Sequence, residues 1–210
     1  MTRDYLVLFF IPFFALSSFV LNAQSEFNLI GGQQVKAKLL SESETHIEFE
    51  ITKKNGKTKV KKMEKERLFS VVSDGLETIY YNPETGVHHY TVEDMRMYVY
   101  GQQDAYQYYK TTWSMVAAAA VGAGAGLWMG TEGSAVVVLA PVVGTIAGTV
   151  VQSHAPKPDM ARSASYLKEP AYVLGFKKTA RGKKVVNSIK SAVVGSIVGG
   201  AIGFGIYNSK

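Results

Sequence analysis

"SAVVGSIVGGAIGFGIY", residues 191–207, sets a small side chain at every fourth position: Ser191, Gly195, Gly199 and Gly203. On a helix that spacing lines small residues along one face and leaves Val, Ile and Phe on the others. Each glycine in a helix interior costs about 1 kcal/mol relative to alanine. A row of them needs a compensating interaction, and close approach of a second backbone supplies one.

Two more segments use the same device. "WSMVAAAAVGAGAGLWMG" (113–130) carries Ala118, Gly122, Gly126 and Gly130, and "GSAVVVLAPVVGTIAGTVV" (133–151) carries Ala140, Gly144 and Gly148. Lipid offers no hydrophobic drive between helices, so association there depends on close contact, which repeated small residues allow. Residues 113–151 hold a single ionisable side chain, Glu132, where a turn between the first two segments is expected. A buried soluble hairpin is the alternative. The segments run 17 to 19 residues and are rich in Ala and Gly rather than Leu. Alone, each would insert weakly, so a packed hairpin or an oligomer is expected.

The 210 residues are 47% hydrophobic with formal net charge +6, and the mean hydropathy is +0.02 with a pI of about 9.3. These averages hide a segregation. Residues 24–111 carry 12 Lys and Arg against 13 Asp and Glu, whereas residues 153–190 carry 9 against 2. The excess positive charge therefore lies in one segment, with "FKKTARGKK" (176–184) at its centre, and is not a nucleic-acid signal. Lys177, Lys178, Arg181, Lys183 and Lys184 form a basic patch suited to anionic headgroups.

At the N-terminus, Arg3 precedes an apolar run over 5–21 and a short "LNA", the layout of a secretory signal cleaved after Ala23. An uncleaved anchor is the alternative, and both place the following domain outside the cytoplasm. The chain has no cysteine, so neither a disulfide framework nor an acylated thiol contributes.

After the signal, "QQVKAKLL" sets Val35, Ala37 and Leu39 on one face, and "THIEFEIT" does the same with Ile47, Phe49 and Ile51. Asn55-Gly56 and Asp74-Gly75 suit tight hairpin turns. About five antiparallel strands over 27–81 follow, with the lysine run at 53–62 as a solvated edge. So small a sheet needs a helix packed on it. Thr91 and Asp94 mark the start of that helix, an amphipathic segment over 92–110 with a stripe of Met95, Tyr98 or Val99, Gln102, Ala105 or Tyr106, and Tyr109. Its five tyrosines and Trp113 suit either the sheet or the water–lipid boundary.

The fold class expected is α+β: a small antiparallel β domain, a connecting amphipathic helix and two to three glycine-rich helices of transmembrane type. The organisation is a signal over 1–23, a β domain over 24–90, the helix over 91–111, a glycine-faced hairpin over 112–152, a basic linker over 153–185 and a C-terminal glycine-faced helix over 186–210. Its topology holds a conflict. With the β domain exported and two crossings before it, the basic linker returns to the exported side, against the positive-inside tendency. A re-entrant pair with one crossing, an outer-membrane setting, or a linker laid on anionic headgroups would each resolve it, and we favour an exported linker touching lipid or an acidic partner.

The pattern "M.MYVYGQQDAYQYYK" (95–110), the glycine-row helices split by "EPAYVLGFKKTARGKK" (169–184) and the "LNAQ" signal end resemble uncharacterised cell-envelope proteins of the Bacteroidota. The resemblance implies a cell-envelope location and assigns no catalytic residue.

No motif for chemistry emerges. His46, His88, His89 and His154 lack metal-ligand spacing. "GAGAGLWMG" lacks the preceding strand and the Lys-Ser/Thr of a phosphate loop, and Ser163 and Ser165 sit in no nucleophile elbow. No cofactor, metal or small-molecule substrate is expected. The function expected is a non-enzymatic envelope membrane anchor or scaffold whose partners are membrane lipid and a second copy or an envelope protein. A pore subunit is the alternative, disfavoured because the polar residues of these segments are too scattered to draw a wet stripe.

Overall fold

The structure is a computed structural model that describes residues 24–53, 55–84, 90–132, 139–150 and 154–209. The expected signal, the His88-His89 pair and the valine run at 136–138 lie outside the described residues.

Six antiparallel strands form one sheet: β1 (Ser25–Leu29), β2 (Gln34–Glu42), β3 (His46–Thr52), β4 (Thr58–Glu64), β5 (Leu68–Ser73) and β6 (Leu76–Ile79), in the order β4-β3-β2-β1-β5-β6. The sequence pattern predicts about five. The strand hardest to see is β1: it is central and only five residues long, its two apolar residues Phe27 and Leu29 make a short signal, and the polar Asn28 between them is buried too. Asp74 and Gly75 both take positive φ, 52° and 81°, as the tight turn between β5 and β6 requires. Strand β4 lies at the edge, and its Lys59, Lys61 and Lys62 are exposed. One face of the sheet closes on Phe27, Ile47, Phe49 and Leu68, with the two Phe rings 4.9 Å apart. Leu39, expected beside Val35 and Ala37 in that core, is 36% exposed because β2 runs on past it, with a register shift beyond Leu39.

Helix α1 (Val92–Tyr108) starts with a capping box: the Asp94 amide donates to Thr91 Oγ1 at 3.1 Å and the Thr91 amide to Asp94 Oδ2 at 3.3 Å. Its Met95, Tyr98 and Val99 pack with Phe69 and Tyr81 on the other side of β5. This is the helix the small sheet needs.

Helices α2 (Thr112–Thr131), α3 (Ala140–Val150) and α4 (Pro170–Asn208) follow. The 39 residues of α4 extend about 58 Å. Residues 170–185, read from the sequence as linker, are therefore helical. Pro170 occupies the first turn, where a missing N–H costs nothing. Tyr172, Phe176 and Ala180 then bury a stripe at helical spacing against α1, which the surrounding lysines hide in the sequence.

Along α4, α1 comes first and α2 second. Asn187 meets Thr111, Gly195 meets Ala119, Gly199 meets Ala123 and Gly203 meets Leu127, so partners stay 76 residues apart and α2 and α4 run parallel in fixed register. Between them α3 runs antiparallel, with Gly144 near Ala118 and Ala192, and Gly148 near Ser188. The chain thus leaves the sheet end along α2, returns along α3 and departs again along α4. The segment between α3 and α4 comes back to α1, where Arg162 binds Asp104.

Candidate functional site

The three-helix region is packed inside out relative to a soluble bundle. Among its described residues, those buried in α2 are Ser114, Ala118, Gly122, Gly126 and Gly130, and those in α3 are Ala140, Gly144 and Gly148. Beyond Val186, α4 buries Ser188, Ala192, Gly195, Ser196, Gly199 and Gly203. Every one is Gly, Ala or Ser. The large apolar side chains point outward instead: Trp113 is 81% exposed, Ile197 is 66% exposed, and Trp128, Ile146, Val194 and Phe204 are also open. Helices α2 and α4 are long and apolar enough to cross a membrane, while α3 is a shorter apolar helix.

The glycines lie where backbones touch. A Cβ on Gly122 would sit 2.7 Å from the Ala192 carbonyl oxygen, one on Gly126 would sit 2.6 Å from that of Ser196, and one on Gly130 would sit 2.9 Å from that of Gly200. On α4, a Cβ at Gly195, Gly199 or Gly203 would collide with the carbonyl oxygen of Ala119, Ala123 or Leu127. Ser191, placed in this row by its spacing, is only half-buried. Its neighbour Ala192 makes the contact, together with Ser188 and Ser196, because α4 presents two adjacent rows to two helices rather than one row to one. Three hydroxyls here turn back onto their own helix, Thr145 Oγ1 donating to Pro141 O at 2.7 Å, Ser196 Oγ to Ala192 O at 2.8 Å, and Thr149 Oγ1 to Ile146 O at 2.9 Å, while the buried Ser188 Oγ has no partner among the described residues.

Above this region a buried polar clasp ties four elements together. Asp104, 1% exposed, accepts at Oδ1 from Arg162 Nε at 2.9 Å and lies 2.8 Å from Arg162 Nη2. At Oδ2 it accepts from the Arg162 amide at 2.9 Å and from Tyr172 Oη at 2.7 Å. Those four contacts fill the lone pairs of a carboxylate, leaving none for a substrate. Arg162 Nη2 also donates to Gln103 Oε1 at 2.8 Å, Gln103 Nε2 to Asn28 Oδ1 at 3.0 Å, and Asn28 Nδ2 to Ser70 Oγ at 3.2 Å. The Arg162 guanidinium lies 4.3 Å from the centre of the Tyr100 ring, and Tyr166 stacks on Tyr100. Burial, and next the hydrogen bond to Asp104, push the Tyr172 phenol pKa upward. The sequence reading missed this clasp because its charged partners are 58 residues apart.

A second close crossing lies in the same region. A Cβ on Gly101 of α1 would strike the Tyr172 carbonyl oxygen, and one on Gly175 of α4 would strike that of Tyr98. Backbone contact between small residues therefore holds α4 to α1 as well as to α2.

The basic patch divides. Lys177, Lys178 and Arg181 are exposed, with the Lys178 ammonium 5.6 Å from the centre of the Tyr98 ring. Lys183 turns inward and donates to the carbonyls of Ala105, Tyr106 and Tyr109 at 3.1, 2.9 and 2.8 Å, capping the C-terminus of α1. Burial lowers its pKa. Lys184 is buried at the junction of α1 and α2. Neither of these two lysines belongs to an open surface patch, because both lie on the α4 face that packs on the α1–α2 corner.

No protein family, no curated protein and no solved structure matches the chain.

Proposed function

We propose that the protein is a non-enzymatic membrane anchor and scaffold of the cell envelope, in which α2, α3 and the second half of α4 enter the bilayer and hold the sheet and α1 at its surface. One observation carries this reading: small residues fill the inside of the three-helix region and large apolar ones cover its outside. Water would expel that outer face, whereas lipid accepts it. The 18 residues of 113–130 rise about 27 Å, close to the hydrocarbon thickness of about 30 Å.

Thr145, Thr149 and Ser196, bonded to their own helix, need no water, which favours an anchor over a pore. The small-residue rows are occupied within one chain, so their presence calls for no second copy. The sheet and the returning segment around Arg162 share one end of the helices, which supports a basic segment on the same side as the β domain. In this reading that side is the exported one, and the sheet is the part offered to an envelope partner.

Alkaline carbonate extraction of membranes from cells producing the full chain tests the reading. Retention in the pellet is expected, and release into the supernatant would overturn it.

A further inference from the structure

Where α1 ends and α2 begins, a cavity of about 440 Å³ is lined by Lys110, Trp113, His154, Lys157 and Lys184, among others, with no acidic side chain in its wall among the described residues. Lys184 is only 4% exposed and makes no hydrogen bond or ion pair among the described residues. Its stem is buried while its ammonium opens into the cavity with no counter-charge, and a bound anion would supply one.

A second feature converges on the same place. The first-turn amides of α2 point toward its N-terminus, and the N-cap residue Thr111 makes no side-chain bond to them. Its hydroxyl is engaged elsewhere, donating toward Met115 Sδ at 3.4 Å and accepting from Asn187 Nδ2 at 2.8 Å. An uncapped helix N-terminus carries partial positive charge and free N–H groups, the usual setting for a phosphate. Trp113, at the cavity wall and exposed, begins the apolar stretch of α2, so the cavity opens at the level where lipid headgroups would meet the protein.

We propose that this cavity binds the phosphate of an anionic phospholipid headgroup, with the Lys184 ammonium as its counter-charge, Lys110 and Lys157 beside it, and the acyl chains lying along Trp113 and the outer face of α2. The proposal rests on the membrane reading above. Burial, and then the charge of Arg181, lower the Lys184 pKa when the cavity is empty, and a phosphate would oppose both effects.

Full-length protein in phosphatidylcholine nanodiscs, titrated with short-chain phosphatidylglycerol and read by native mass spectrometry, tests it. The wild type is expected to retain one phosphatidylglycerol. Lys184→Met and Lys157→Gln are each expected to lower its affinity about tenfold, the scale of one lost charge-assisted hydrogen bond. Lys177→Gln, which removes an exposed charge away from this cavity, should leave it unchanged. Lys157 is exposed, so its variant tests binding even if the buried Lys184 substitution disturbs folding.

Equal loss from Lys177→Gln would show a diffuse surface effect and overturn the site, as would equal retention of phosphatidylcholine. Inorganic phosphate competing at the lipid's own concentration would identify a soluble anion as the ligand and overturn the lipid assignment. Failure of the membrane reading is seen separately, as release of the protein by carbonate.

Discussion

Gly199 of α4 lies against the carbonyl oxygen of Ala123 in α2, so closely that a Cβ at position 199 would overlap it. The partner atom is backbone and cannot turn aside as a side chain would. By contrast, a Cβ on Gly205 or Gly124 would meet nothing within 4 Å. The same residue type thus does two jobs in neighbouring turns of one helix, and the difference is measurable.

Gly199→Ala is expected to destabilise helix packing by about 1–3 kcal/mol, the scale of an overpacked contact. Gly205→Ala is expected to be neutral or to stabilise by up to about 1 kcal/mol through helix propensity. Unfolding midpoints in a detergent titration check both. Equal midpoints for the two variants would deny the contact.

Arg162→Met leaves the Asp104 carboxylate buried with Tyr172 and frees the segment between α3 and α4. Arg162 is 34% exposed, which moderates the effect to about 2 kcal/mol. Limited trypsin digestion should then cut that segment at Lys168, where the folded wild type is expected to resist. Adding Asp104→Leu should recover part of the lost stability, since an apolar pair is cheaper than one orphaned charge.

Lys183→Met removes the ammonium that serves three carbonyls at the end of α1. A cost of about 1 kcal/mol is expected from the lost helix-terminal interaction. Hydrogen exchange should show it as amides in the last turn of α1 opening about fivefold more often. Unchanged exchange there would mean that the cap contributes nothing.

Tyr80 donates to Glu42 Oε2 at 3.0 Å, and burial followed by that bond pushes its pKa up to about 12. An unfolded phenol ionises near pH 10. The contribution of Tyr80 is therefore whole below about pH 10 and is lost as pH rises through about 12. Ultraviolet titration of the wild type against Tyr80→Phe should place the missing tyrosinate step near pH 12. Glu42→Gln should move it downward. A difference between wild type and Tyr80→Phe that falls at the ordinary phenol value would contradict the contact.

How much of this was legible depends on the range of the interaction. Spacing alone brought out the glycine rows, the turn at Asp74-Gly75 and the capping box at Thr91, because each is set by residues a few positions apart. The spacing marks Ser191 rather than Ala192 as the contact, because one sequence row cannot show that α4 meets two helices at once. The first half of α4 passed for a linker because its buried stripe of Tyr172, Phe176 and Ala180 sits among lysines. Gly101 has no other glycine beside it in α1, and Gly175 stands apart from the glycine row of α4, so nothing local marks them as reciprocal contacts. The Asp104 clasp and the Lys183 cap join residues 58 or more positions apart, a pairing that only the folded chain creates.

The helices leave the sheet end along α2, return to it along α3 and leave again along α4. The chain has no cysteine, so single substitutions report position directly. In sealed membrane vesicles of uniform orientation, a membrane-impermeant maleimide should label Ser43→Cys in the sheet and Ser165→Cys in the returning segment from one side. Ser209→Cys, at the end of α4, should react from the other. Labelling of Ser165→Cys from the side opposite Ser43→Cys would contradict the claim.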